Sequence, residues 1–247
     1  MAEVIQYTLG MSNGFFVKDD GFVAVDCGSE LGVEPFLGVC AESGVEPKDI
    51  RLLVVTHGHV DHFVNMGEMR TATGAPIMCH KNAERSMREA RFPEVRPRSE
   101  VGRFILAEAP PGFQPVPVLC PIAPDLVVSG TVDLGPWGIG GRLVETPGHS
   151  DSCMSMVLDS GQALVGDLVV EDPRDHSASL AYFCCTDDMA AADRQIFLSV
   201  EYLLKSAATF FSGHGGPFTK ADVARALKAA QAEAGWCVDG AERKESV

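Results

Sequence analysis

The run Thr56-His57-Gly58-His59-Val60-Asp61-His62 packs three of the chain's seven histidines and an aspartate into six positions. In an extended strand end, residues two apart face the same side, so the imidazoles of His57 and His59 can converge on one ion. Gly58 between them adds no side chain to crowd that approach. Asp61 and His62 offer a carboxylate oxygen and a further nitrogen once the chain turns. This nitrogen and oxygen set suits zinc, iron or manganese. A polar loop that is merely rich in histidine is the competing account, and it leaves the density of ligating groups unexplained.

A site built only from neighbours would be unusual, and further ligating groups recur downstream. "LVETPGHSD" sets His149 just after a strand-like run, "ALVGDLVV" sets Asp167 at another, and "TFFSGHGGPF" sets His214 at a third. Each stands where an apolar strand gives way to a loop, the usual place for functional residues on a rigid scaffold.

The elements that must position these groups follow from pattern. Strands are predicted at 3–9, 14–18, 22–26, 51–56, 76–80, 126–128, 142–146, 154–158, 163–166 and 209–213. The run "RLLVVT" is continuously apolar, as expected of a strand buried on both faces. Helical spacing covers about 32–43, 64–73, 81–92, 187–207 and 219–235. More than half of the fifteen prolines fall between about 92 and 125, so regular structure should be sparse there, as in an insertion or lid. Strands followed by mixed strand and helix, loosely repeated, suggest an α/β fold with layered αββα architecture, one domain over 1–247 carrying that lid.

Composition narrows the function. Thirty-four acidic against twenty basic residues give a formal net charge of −14, which disfavours nucleic acid as a partner. No secretory signal and no long apolar run is visible, so the expectation is a cytoplasmic protein without membrane attachment. The eight cysteines include no CxxC pair, and reduced thiols are expected. Adjacent Cys184 and Cys185 carry no assignable chemistry from sequence. A homodimer is allowed but not indicated.

"THGHVDH", followed in order by "TPGH", "VGD" and "SGHGGP", resembles the metallo-β-lactamase-fold hydrolase superfamily, over nearly the whole chain. The resemblance implies an αββα sandwich with two divalent metal ions at one edge of its sheets, zinc above iron or manganese. His57, His59 and His149 would hold the first ion; Asp61, His62 and His214 the second; Asp167 would bridge both. A metal-bridging hydroxide would then attack a small thioester, lactone or related ester, with Asp61 as an additional proton-transfer group. The catalytic part is similar to that of glyoxalase II, without the helical glutathione-binding domain that follows in that group. An iron-dependent dioxygenase of the persulfide type, a phosphodiesterase and a non-catalytic metal-binding protein are the alternatives on the same fold.

Four residues are candidates for the substrate side. Arg96 and Arg98 belong to a basic stretch over 81–103 that could meet an anionic small molecule. His176 and Tyr182 lie in the loop after Asp167 and could line the same cleft. His80, at a strand end before a helix, is expected in a capping or surface position.

Overall fold

The stretch Ser12–Lys18 is buried at every residue but the last, which fits an interior strand. It lies near the edge of the first of two six-stranded sheets in the computed structural model, which describes residues 1–91, 93–108 and 121–236. Along the chain, β1 (Glu3–Leu9), β2 (Ser12–Lys18) and β3 (Phe22–Val25) precede α1 (Val33–Glu42) and β4 (Ile50–Val54). There follow α2 (Val60–Phe63), α3 (Met66–Thr73), β5 (Ile77–His80), α4 (Glu84–Glu89), β6 (Arg96–Pro97), α5 (Glu100–Glu108) and β7 (Leu126–Val128). The second half holds β8 (Val132–Asp133), β9 (Gly141–Glu145), β10 (Met154–Leu158), β11 (Gln162–Leu164), β12 (Val169–Glu171), β13 (Ala178–Leu180) and β14 (Phe183–Cys184). It closes with α6 (Met189–Ser206), β15 (Thr209–Phe211), β16 (Phe218–Thr219) and α7 (Lys220–Glu233).

The first sheet runs β1-β2-β3-β4-β5-β7 and the second β16-β15-β11-β10-β9-β8. Period-two alternation sorts the side chains between faces. Phe15, Val17, Val23, Leu52 and Val54 turn inward to meet Leu143, Met154, Met156 and Phe211 of the other sheet. Their neighbours Phe16, Ala24 and Leu53 turn outward against Phe36 and Cys40 of α1 and Met66 and Met69 of α3. On the far side, Ile196, Phe197, Val200 and Leu203 of α6 join Val223 and Leu227 of α7 over the second sheet. Three cores in succession are what four αββα layers require, so the expected architecture is the observed one. The helix starts are encoded locally: Asp188 accepts a bond from the Ala191 amide, and Thr219 with Asp222 forms a capping box.

Regular structure does occur where the prolines predict little of it. The proline-free stretch between Pro97 and Pro110 forms α5, and residues 96–97 form β6, which pairs with β14. Val101, Phe104 and Ile105 are spaced for one helical face, a signal that the flanking prolines masked. The rest of the expected lid, at 109–120, lies outside the described residues. The helix expected at 64–73 is α3, which begins two residues later at Met66, and the short helix α2 precedes it outside the expected span. No helix among the described residues is long and apolar enough to cross a membrane.

Candidate metal centre

Strand β4 stops at Val54, and the histidines follow in a loop, so their convergence is not that of an extended strand end. The rings meet all the same: His57 Nε2 lies 3.1 Å from His59 Nδ1, and His149 Nε2 lies 2.9 Å from the same atom. Gly58 serves a different contact from the one expected. A methyl there would stand 3.2 Å from Ala83 Cα, so the bare backbone lets the loop seat against the start of α4. Helix α2 then turns Asp61 and His62 to the same side, held by a bond from Ser12 Oγ to the Asp61 carbonyl (2.7 Å).

The remaining groups arrive from the second sheet. His149 follows β9, Asp167 follows β11, and His214 follows β15, where Asn13 of β2 ties down the Ser212 and Gly215 carbonyls. Asp61 Oδ2 lies 3.5 Å from His62 Nε2 and 3.3 Å from His214 Nε2. Asp167 stands between the two sets. Its Oδ2 is 3.6 Å from His149 Nε2 and 3.3 Å from His214 Nε2, while Oδ1 is 3.3 Å from His62 Nε2. Two nested groups result: His57, His59, His149 and Asp167, and Asp61, His62 and His214.

The donor atoms fit divalent ions. Ligands about 2.0–2.1 Å from a tetrahedral zinc sit roughly 3.3 Å apart; the first group spans 2.9–3.8 Å and the second 3.3–3.5 Å. His62 Nε2 and Asp167 Oδ1 are buried with no hydrogen-bond partner among the described residues, although they face each other. Polar atoms so placed are costly unless something fills the space between them.

The outer ring nitrogens are all engaged, and that fixes which nitrogen faces inward. The Thr56 amide and hydroxyl both donate to Asp26 (2.8 and 2.7 Å), which leaves the Thr56 oxygen to accept from His57 Nδ1 (3.1 Å). His62 Nδ1 donates to Asp26 Oδ2 (2.8 Å), His149 Nδ1 to the Phe183 carbonyl (2.9 Å) and His214 Nδ1 to the Met11 carbonyl (2.8 Å). His59 reverses the pattern: Nδ1 faces inward, and Nε2 donates to Cys185 Sγ (3.1 Å). Five imidazole nitrogens therefore point at the two groups.

Burial holds His57 well below the ordinary histidine pKa and takes His59 down to about 3. For His62 and His214, burial also opposes the charge. It is outweighed by Asp167 and Asp61, joined by Asp26 at His62, and both pKa values stand well above the ordinary one. Asp61 and Asp167 are shifted the other way, held ionised against burial by His62 and His214. Burial pushes the Cys185 thiol up to about 12, so it remains a neutral acceptor.

The substrate-side candidates divide. Tyr182 lies within electrostatic reach of this charge cluster: burial raises its pKa, and His214, Asp167 and Asp61 also act on it. Arg98 is not open to a ligand; its side chain is 6% exposed and paired with Asp193 of α6 at 2.7 Å. Arg96 is engaged with Glu94 and, at 2.7 Å, with Asp187. Arg85 and Arg88 pair with Glu89 and Glu84 along α4, so the basic stretch is largely neutralised by its own neighbours. His176 is drawn off to Glu171 (2.7 Å) in an open groove of about 520 Å³ shared with Gly216 and Arg225, which none of the seven clustered residues lines. His80, expected at a surface or cap, is buried and bridges the two sheets through Glu145 at 2.9 Å. Asp193→Ala would strand the Arg98 guanidinium without its counter-charge and is expected to cost about 3 kcal/mol, read from urea unfolding midpoints.

Asp26, Cys185 and Gly213 are the site residues that motif reading misses. Asp26 ends an ordinary strand, and Cys185 belongs to no pattern. Gly213 reads only as a loop glycine, yet a methyl there would fall 2.3 Å from Asp167 Oδ1 and 2.7 Å from His62 Cε1.

The family model of the metallo-beta-lactamase superfamily matches residues 7–218. The chain belongs to the metallo-beta-lactamase superfamily. A curated member of similar length, the Bacillus subtilis (strain 168) protein described as "Probable metallo-hydrolase YflN", is 24% identical over 235 residues, covering 86% of this chain and 83% of that one. The human metallo-beta-lactamase domain-containing protein 1 shares 47% identity over 47 residues, 19% of this chain and 18% of its own length. Among solved superfamily structures, a metallo-beta-lactamase family protein from Thermus thermophilus superposes with TM-score 0.64 at 21% identity, covering 95% of this chain and 79% of that one. A Cronobacter sakazakii metallo-beta-lactamase, in a motif mutant, reaches 0.64 at 17% identity over 94% and 92%. These superpositions establish the fold, and the family match with the two His/Asp clusters makes the chain a metallo-hydrolase superfamily member with a candidate metal-binding site.

Proposed function

We propose that the protein is a binuclear, zinc-using hydrolase of small thioesters, lactones or related esters. The observation that carries this reading is Asp167, whose two carboxylate oxygens face both ligand groups while Oδ1 and His62 Nε2 lie buried and unpartnered among the described residues. His57, His59 and His149 would hold one ion, Asp61, His62 and His214 the other, and Asp167 would join them. A pair of divalent ions, when bound, lowers the pKa of a shared water and polarises a substrate carbonyl. The chain's own residues do the rest. Asp61, ionised and beside His62 and His214, is placed to hold a proton on its way to the leaving group. Tyr182, its phenol protonated, contacts the substrate at the rim. With Arg96 and Arg98 already paired, the geometry favours a neutral ester over a strongly anionic substrate.

The test is metal content of the purified protein, followed by a panel of thioester, lactone, ester and phosphodiester substrates. Two zinc equivalents per chain are expected, with hydrolysis lost on chelation and regained on adding zinc. Turnover that survives chelation would sink the reading, as would a single iron accompanied by oxygen uptake. Because His62 and His214 carry raised pKa values in the metal-free protein, zinc must expel protons there. Their charged forms stabilise the metal-free fold fully below the unfolded histidine value of about 6.5, and that contribution fades as pH climbs through the raised folded values. Apparent zinc affinity is therefore expected to rise with pH across that window, with proton release detectable in weakly buffered titrations.

A further inference from the structure

Two of the three histidines in the first group are held from outside by one short segment. The Phe183 carbonyl accepts from His149 Nδ1 at 2.9 Å, the Cys185 amide donates to the His149 carbonyl at 3.0 Å, and Cys185 Sγ accepts from His59 Nε2 at 3.1 Å. The same segment begins beside the bridging carboxylate, since the Ala181 amide donates to the Leu168 carbonyl at 3.0 Å. Residues 181–185 thus touch His59, His149 and the neighbour of Asp167 at once.

That segment is itself gripped on its other side. Strand β14 pairs antiparallel with β6, matching Phe183 with Pro97 and Cys184 with Arg96. The Arg98 amide donates to the Tyr182 carbonyl at 2.8 Å, and the Arg98 guanidinium bonds both the Ala181 carbonyl and Asp193. Gly102 of α5 lies so close that a methyl on it would sit 2.2 Å from the Tyr182 carbonyl oxygen.

Outer partners of metal-bound histidines are most often carboxylates, carbonyls or waters. His62 has such a partner in Asp26, whereas His59 has a thiol, a weak acceptor whose value lies in direction. We propose that residues 181–185 form a strap that orients the three-histidine half of the metal centre, with Cys185 as the positioning residue for His59 and the 96–102 segment holding the strap in register. Residues 96–102, between β5 and β7, thereby act on the ions without contributing a ligand. This rests on the metal-centre reading above.

Stepwise zinc affinities, measured by competition with a chromophoric chelator, test it alongside the absorption spectrum of the cobalt-loaded protein. In Cys185→Ala one of the two affinities should fall roughly 10- to 100-fold while the other holds, and the cobalt bands should shift. Cys185→Ser, which keeps an acceptor, should stay within about 3-fold of wild type, and the metal-free melting temperature should be unchanged in both. Gly102→Ala, pressing on the strap from outside, should weaken the same affinity as Cys185→Ala. The proposal is overturned if Cys185→Ala or Gly102→Ala binds both ions as wild type does, or if serine at 185 is as harmful as alanine. Wild type that binds no metal would remove the metal-centre reading and the strap with it; wild type that binds two ions beside an unaffected Cys185→Ala would remove the strap alone.

Discussion

Gly213→Ala is expected to lower kcat/KM for whichever ester proves to be the substrate by on the order of 100-fold, through displaced ligands and no direct contact with substrate. The added methyl would lie 2.3 Å from Asp167 Oδ1 and 2.7 Å from His62 Cε1, both far inside van der Waals contact. Neither neighbour can give way cheaply. Asp167 faces both ligand sets, and His62 is fixed from behind by Asp26. The backbone cannot retreat either, because the Gly213 amide donates to the Gly166 carbonyl at 2.8 Å and its carbonyl accepts from the Asn13 amide at 2.8 Å. Overpacking of this kind costs about 1–3 kcal/mol in a core, so the variant should fold with weakened metal binding. Zinc content after gel filtration, measured beside activity, checks the order of events. A variant with full metal and full activity would show that the close approach has no bearing on the site.

Asp26→Asn should be as damaging, for a reason of proton placement. Asp26 accepts from the Thr56 amide, the Thr56 hydroxyl and His62 Nδ1, and its φ of 55° is a conformation asparagine also tolerates. The substitution is therefore nearly neutral for the backbone. An amide, however, has one accepting oxygen and one donating nitrogen. If the nitrogen meets His62, that ring must accept at Nδ1 and carry its proton at Nε2, the atom that faces Asp61 and Asp167. A ligand lone pair is then replaced by an N–H. Metal affinity at the Asp61, His62 and His214 group is expected to fall at least roughly 100-fold, the upper end for outer-partner changes. Titration of the purified variant with zinc, followed by calorimetry, should show one tight equivalent where wild type shows two. Two wild-type equivalents would mean that Asp26 does not set the His62 tautomer.

The seven clustered residues were legible because their chemistry is unusual in type and recurs at strand ends, and a sequence displays both features. The layers were legible because short apolar runs mark β2 (Phe15–Val17), β4 (Leu52–Val54) and β10 (Met156–Leu158) and because α6 has helical spacing over its full length. The residues behind the ligands were not. Asp26 ends a strand like many acids that face water, and only the fold brings it beneath Thr56 and His62. Cys185 acquires a role only by lying opposite His59, 126 positions earlier in the chain. Arg98 illustrates the opposite error: a basic residue in a proline-rich stretch reads as exposed, whereas its stem and head are buried against α6. Sequence reports what a side chain can do, and packing decides whether solvent, a ligand or another residue receives it.

The division of the ligands between the two sheets carries a mechanical meaning. One cluster comes from residues 57–62 and the other groups from positions 149, 167 and 214, so an ion held by His57 and His149 would close a loop of about 90 residues. No disulfide joins the cysteines among the described residues. Among the described residues the bound ions would then be the only cross-links in that part of the chain, each acting on the unfolded ensemble as a covalent staple does, where a loop of that length is worth about 4–5 kcal/mol in the chain-entropy account. Losing them would loosen the seam between the sheets before it disturbed either sheet's own hydrogen bonds.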